Sequence, residues 1–270
     1  MQTQGKFILF DNLNEFAAWL AATPINRRIW LIQNHHTFIP NYTSFTGANH
    51  FALLIGMENA HLERGFAEIA QNLTTFPDGK IAICRSLDKI PAGIKGANTG
   101  GVCIENLGNF DRTRDPVTAA QRTCIVRLNA LLCRRFRLTP NTDTLVYHHW
   151  WDLNTGQRTD GAGVTKTCPG TAFFGGNRVE DARANFIPPV RRALTLFSNI
   201  PSGGPLPLRS AEVITDLLNV RERPAASARR ILQLTRGIQV NVYEDKDTWR
   251  RIQPEAQHWV NARFLREIID

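Results

Sequence analysis

RRIWLIQNHHT, residues 27–37, is the run on which the fold turns. Apolar residues with a strong β preference fill its first half and polar ones end it, so it reads as a strand that delivers His35 and His36 at its C-terminal end. Upstream, DNLNEFAAWLAA (residues 11–22) reads as a short amphipathic helix, capped by Asp11 or Asn12, with Phe16 and Leu20 on one face. Downstream, residues 47–64 carry Phe51, Leu54, Ile55 and Met57 on a helical apolar stripe. IAQNLTTFPDGKIAICRSL (69–87) then predicts a hairpin turning at Pro77-Asp78-Gly79.

GVCIENLGNFD (101–111) predicts another strand. The clearest helix is TAAQRTCIVRLNALLCRRF (118–136), with Thr118 at the cap and Ile125, Leu128, Leu132 and Phe136 at helical spacing. TLVYHHW (144–150) predicts a final strand, followed by a polar loop to Cys168 and a helix near residues 179–197. The pattern is α/β, a mixed central sheet flanked by helices, over residues 1–198. NIPSGGPLPLRS (199–210) is rich in Pro, Gly and Ser and predicts a linker at 199–207. From 208 to 270, short alternating apolar segments with turn signals between them predict a small all-β barrel.

The chain's 270 residues suffice for one large and one small domain, and 43% hydrophobic with 21% charged residues are globular values. Its net charge of +8 favours polyanionic partners such as nucleic acid, anionic membranes or acidic wall polymers. With no Lys/Arg run of five and no basic stretch interleaved with stacking aromatics, nucleic acid is not the expected partner. No segment approaches the roughly 18 apolar residues of a membrane span. MQTQGKFILFDNLNEFAAWL lacks the basic start, apolar stretch and cleavage site of a secretory signal, so synthesis in the cytoplasm is expected.

Five cysteines, with no C-x-x-C pair, argue against a disulfide framework. Cys84, Cys103, Cys124 and Cys133 lie in apolar runs and read as small core hydrophobes. Cys168, in VTKTCPG, does not. It follows two histidine pairs, NHHT and YHH, and zinc is well served by neutral imidazoles plus one thiolate, with three protein ligands enough for a catalytic site. Adjacent strand residues point to opposite faces, so one member of each pair at most reaches a shared ion. Each pair alone is more often a packed or surface histidine; together with the cysteine they point to metal. Glu105, a carboxylate inside an apolar strand, reads either as a proton carrier beside that ion or as the partner of Lys95 or Arg85 in a salt bridge. Lys166, two residues before Cys168, is either a surface lysine or a cation placed to hold a developing oxyanion.

These residues carry a resemblance. IQNHHT, IAQNLTTFPDG, IKGANTGGVCIENLGNFD, LVYHHWWDL and TKTCPGTAFFGG, in that order across residues 7–197, resemble the zinc-dependent N-acetylmuramoyl-L-alanine amidases, the group that includes phage-type endolysins and animal peptidoglycan-recognition proteins. The resemblance implies Zn²⁺ as cofactor, His35, His148 and Cys168 as its ligands with His36 and His149 as the alternatives, and Glu105 and Lys166 as catalytic groups. It implies peptidoglycan as substrate. Members usually carry a tyrosine near the metal where this chain has Gln71, which cannot act as a phenol would, although its amide can donate a hydrogen bond; its role stays open. The tail, with LLNVRERP, GIQVNV and HWVNARFL, resembles bacterial SH3-like cell-wall domains. A wall hydrolase released as a phage-type lysin or by non-classical export is the setting these resemblances imply, and a binding-only receptor or a zinc endopeptidase are the alternatives.

Overall fold

The computed structural model describes residues 1–198 and 200–268; Asn199, the first residue of the expected linker, lies outside them. By packing, the chain divides into two compact units, Met1–Leu194 and Thr195–Asp270.

The first unit is built on a seven-stranded sheet of β1 (Gln2–Gln4), β2 (Phe7–Phe10), β3 (Leu31–His36), β4 (Leu73–Thr75), β5 (Ile81–Ile83), β6 (Gly101–Asn106) and β7 (Leu145–Tyr147), in the order β1-β2-β5-β4-β6-β3-β7. The run 27–37 supplies β3, which pairs in parallel with β6 on one side and β7 on the other. The expected hairpin is β4–β5, antiparallel, with Phe76 N–H on the Lys80 carbonyl closing its turn.

Helices cover both faces. α1 (Leu13–Ala22) starts at Asn12, whose side chain accepts from Glu15 N–H, and sets Phe16 edge-on against Phe10 of β2. α3 (Ala119–Phe136) starts at Thr118, whose hydroxyl accepts from Gln121 N–H, and buries Ile125, Leu128 and Leu132. A reciprocal amide pair, Asn34 of β3 with Asn129 of α3 at 3.0 Å each way, joins α3 to the sheet and satisfies two fully buried side chains. On the opposite face α2 (His50–Glu63) packs Leu54 and Met57 against Phe7, Leu9, Ile69 and Cys84. Ile55, read from sequence as part of that stripe, is instead 37% exposed, because the buried arc of α2 is narrower than the apolar one. Cys84, Cys103, Cys124 and Cys133 are all buried and unbridged, as their apolar settings implied.

The helix expected near 179–197 begins with α4 (Val179–Asp181) and ends with α5 (Ile187–Ser198), joined by a π-helical turn at Ala182–Phe186. Pro188 and Pro189 have no N–H to return to the preceding turn, and the backbone widens where those bonds are missing.

From Arg209 onward the second unit is built mainly of strands. One sheet holds β9 (Leu217–Arg221), β10 (Arg230–Thr235), β12 (Glu244–Lys246), β13 (Trp249–Arg251) and β14 (Trp259–Asn261); the other holds β8 (Arg209–Val213), β11 (Gln239–Val242) and β15 (Leu265–Glu267). Val213, Leu218, Val220, Ile252 and Val260 form its small core. Among the described residues no helix is long and apolar enough to cross a membrane.

Candidate active site

Three elements end at one place. β3 carries His35 to its last turn of pleat, β6 lies beside it in a register that sets Glu105 opposite His35, and β7 stops one residue before His148. His148 is therefore not on a strand, as its sequence suggested, but opens a 3₁₀ turn, His148–Trp150. Strand alternation separates His35 from His36 but does not act on His148 and His149.

The turn and the following loop are tied to each other. His149 N–H donates to the Cys168 carbonyl at 2.7 Å, and its ring Nδ1–H donates to the Lys166 carbonyl at 2.7 Å. Gly170 lets the loop close over this point: with φ at +118°, a Cβ there would stand 2.4 Å from the Phe110 backbone. Cys168 is thereby held under the end of β3.

The outcome is a compact donor set. His35 Nδ1 lies 3.2 Å from His148 Nδ1 and 3.4 Å from Cys168 Sγ. Tetrahedral zinc with Zn–N of about 2.0–2.1 Å and Zn–S of about 2.3 Å has ligand-to-ligand edges of about 3.3 and 3.6 Å. The residues fit that ion. Burial holds the His35 ring well below its ordinary pKa, helped by the charges of His148 and Lys166, and brings His148 down to about 3. Both imidazoles are then neutral, the charge state that a metal takes, with the two Nδ1 atoms facing each other. Burial also pushes the Cys168 thiol well above its usual range, with Glu105 adding to it; a dication bound there would reverse this.

The alternatives in each pair are engaged elsewhere. His36 Nδ1 accepts from Phe110 N–H at 3.1 Å, and burial lowers it to about 4. His149 serves the loop, as above.

Glu105 Oε1 is 3.8 Å from His35 Nδ1, and Oε2 is buried without a hydrogen-bond partner. Neither expected salt bridge forms. Lys95 donates to the Asn154 carbonyl, and Arg85 turns its guanidinium to the carbonyls of Ile69, Ile90 and Glu68. Burial pushes the Glu105 carboxyl up to about 8, against the pull of Lys166, although a fifth of the side chain still reaches the groove. Lys166 itself is exposed on the groove's rim.

Gln71 is fully buried. Its amide nitrogen donates to Thr74 Oγ1 at 3.1 Å and to Met57 Sδ, so the free atom is Oε1, an acceptor.

His35, Glu105, His148, Cys168 and Gln71 line the floor of a groove of about 790 Å³. Its wall is the small-residue edge of α2, Ala52, Gly56 and Ala60, and its lip is Phe38 and Ile39. The four-residue spacing of those small side chains is visible in the sequence; the lip is not, since exposed apolar loop residues carry no periodicity.

A family model described as N-acetylmuramoyl-L-alanine amidase matches residues 25–171. Among solved structures, the endolysin amidase LysCS of Clostridium intestinale is similar at 25% identity over 46% of this chain and 72% of its own, with a TM-score of 0.36. LysC of the same organism is similar at 22% identity over 60% and 89%, with a TM-score of 0.41. Drosophila PGRP-LB is similar at 18% over 60% and 84%, with a TM-score of 0.45. No curated protein matches.

Proposed function

From the premise that this chain belongs to the N-acetylmuramoyl-L-alanine amidase family, whose model spans more than half of it, we propose that it hydrolyses peptidoglycan at the amide joining the lactyl group of N-acetylmuramic acid to the L-alanine of the stem peptide. The observation that carries this reading is the cluster of His35, His148 and Cys168 at the floor of the groove, with the two distances from His35 matching the edges of a zinc site and a carboxyl with one unpartnered oxygen beside it.

His35 Nδ1, His148 Nδ1 and Cys168 Sγ are the proposed ligands. Zinc bound there would polarise the scissile carbonyl and bring the pKa of water toward neutrality. Glu105, beside the donor set with one oxygen unpartnered, is proposed to take a proton as the nucleophile forms and return it to the leaving amine. Lys166 places positive charge on the groove side of Cys168, where the carbonyl oxygen gains negative charge. The second unit is proposed to be an SH3-like wall-binding module, and the chain's net charge of +8 favours residence on an anionic wall. The site of action is then the wall, reached as phage-type lysins reach it or by non-classical export.

The test is digestion of purified sacculi followed by mass spectrometry of the released fragments. Free L-alanine amino termini, lost on chelation and restored by zinc, are expected. New amino termini inside the stem with the lactyl amide intact would make the protein an endopeptidase, and binding without release would make it a receptor.

A further inference from the structure

His35 has a second ring nitrogen that the cage does not use. Its Nε2 is buried without a hydrogen-bond partner, and so is Oε1 of Gln33. The two residues stand two positions apart on β3, so both side chains leave the sheet on the same face. Both are buried, Gln33 at 0% and His35 at 2% exposure.

The Gln33 amide has its orientation fixed. Its nitrogen donates to the Ala97 carbonyl at 2.9 Å, which leaves Oε1, able only to accept, directed elsewhere. Gly93 closes the pocket: a Cβ there would stand 2.2 Å from Gln33 Oε1 and 3.1 Å from His35 Nε2. The acceptor and the ring nitrogen thus border one point in the packing, and a residue without a side chain leaves that point to them. Cys103 Sγ also borders it, at 2.8 Å, but is a weak acceptor.

A histidine that offers Nδ1 to a metal carries its proton on Nε2, and a buried N–H without an acceptor is costly. We infer that Gln33 is a positioning residue: its Oε1, which makes no hydrogen bond in the structure described, is the acceptor that Nε2–H of His35 turns to when the ring presents a bare Nδ1 to His148 and Cys168. Gly93 supplies the space. The inference rests on the zinc reading of the same site.

Zinc affinity of the full chain, measured by competition with a chromophoric chelator, separates this role from simple packing. Gln33→Met removes the acceptor and the bond to Ala97; Gln33→Glu removes the bond to Ala97 and keeps an acceptor. The expected result is affinity about 10- to 100-fold weaker for Gln33→Met, with Gln33→Glu close to wild type. Equal losses in the two variants, or no loss in Gln33→Met, overturn the inference. Should the variants not fold, nitrogen-15 NMR of histidine-labelled wild-type chain without metal decides: His35 is expected as the Nε2–H tautomer, and Nδ1–H overturns the assignment. A wild-type chain that takes up no zinc overturns the metal reading by itself, and the tautomer then remains the readout for Gln33.

Discussion

β3 and β10 are both six-residue strands, and they live in opposite surroundings. Every residue of β3 is buried, including four consecutive polar ones, while five of the six in β10 are exposed although its sequence, RILQLT, is the more apolar in its interior. β3 lies between β6 and β7 with helices over both faces; β10 is an edge strand paired only with β9. Composition therefore does not decide burial here. Position in the sheet does, and a strand that keeps Gln33, Asn34, His35 and His36 in the interior is held there by partners built for each of them.

The sharpest way to break the contrast is at its functional end. Cys168→Ser is expected to lose bound zinc and to reduce release of L-alanine termini to the level of the chelated protein, read by metal analysis and sacculus digestion together. Full metal content with full hydrolysis in that variant would remove Cys168 from the site. Glu105→Gln is expected to keep the metal while kcat falls by about 10²- to 10⁴-fold, the usual worth of a positioned acid–base group; a change in KM alone would contradict that role.

Stability separates the two strands next. Ile32→Ala, at a position with 0% exposure, is expected to cost about 2–5 kcal/mol in denaturant unfolding of its unit. Leu232→Ala in β10, at 40% exposure, is expected to stay within about 0.5 kcal/mol. Similar costs would mean that β10 is covered in solution. A comparably small effect belongs to an ordinary surface charge group. Burial raises the Glu68 carboxyl, yet Lys89, Arg85 and Lys6 outweigh it and hold it below 4.5. A depressed carboxyl stabilises the fold above its unfolded pKa and loses that contribution as pH falls through its folded pKa. Glu68→Gln should therefore be less stable than wild type by about 1 kcal/mol or less at neutral pH, and the gap should close on acidification.

Much of this arrangement was readable before any coordinates. Thr118 and Asn12 announced helix starts, Pro77-Asp78-Gly79 announced the hairpin, and a cysteine outside any apolar run stood out by its setting. Local chemistry fixes such features, so local sequence shows them. The choice of His35 over His36 follows from the register of β3 against β6, which joins residues some 70 positions apart and leaves no local trace. TLVYHHW is continuous in β propensity and so predicts a strand through His148, whereas the chain turns after Tyr147 to bring the imidazole inward. Gln33 and Gly93 were invisible for the same reason. An isolated glutamine in a strand and a glycine in a loop acquire meaning only when the fold sets them beside one ring.

The four core thiols have a consequence for handling and for lifetime. Burial holds Cys84 and Cys133 up to about 12, and lifts Cys103 and Cys124 as well, so almost none of each is in the form that alkylating agents and peroxides attack. Their labelling rate becomes a clock for spontaneous opening, each modified sulfur recording one excursion from the native state. A wall enzyme working outside a reducing cell would age at the pace of its own breathing.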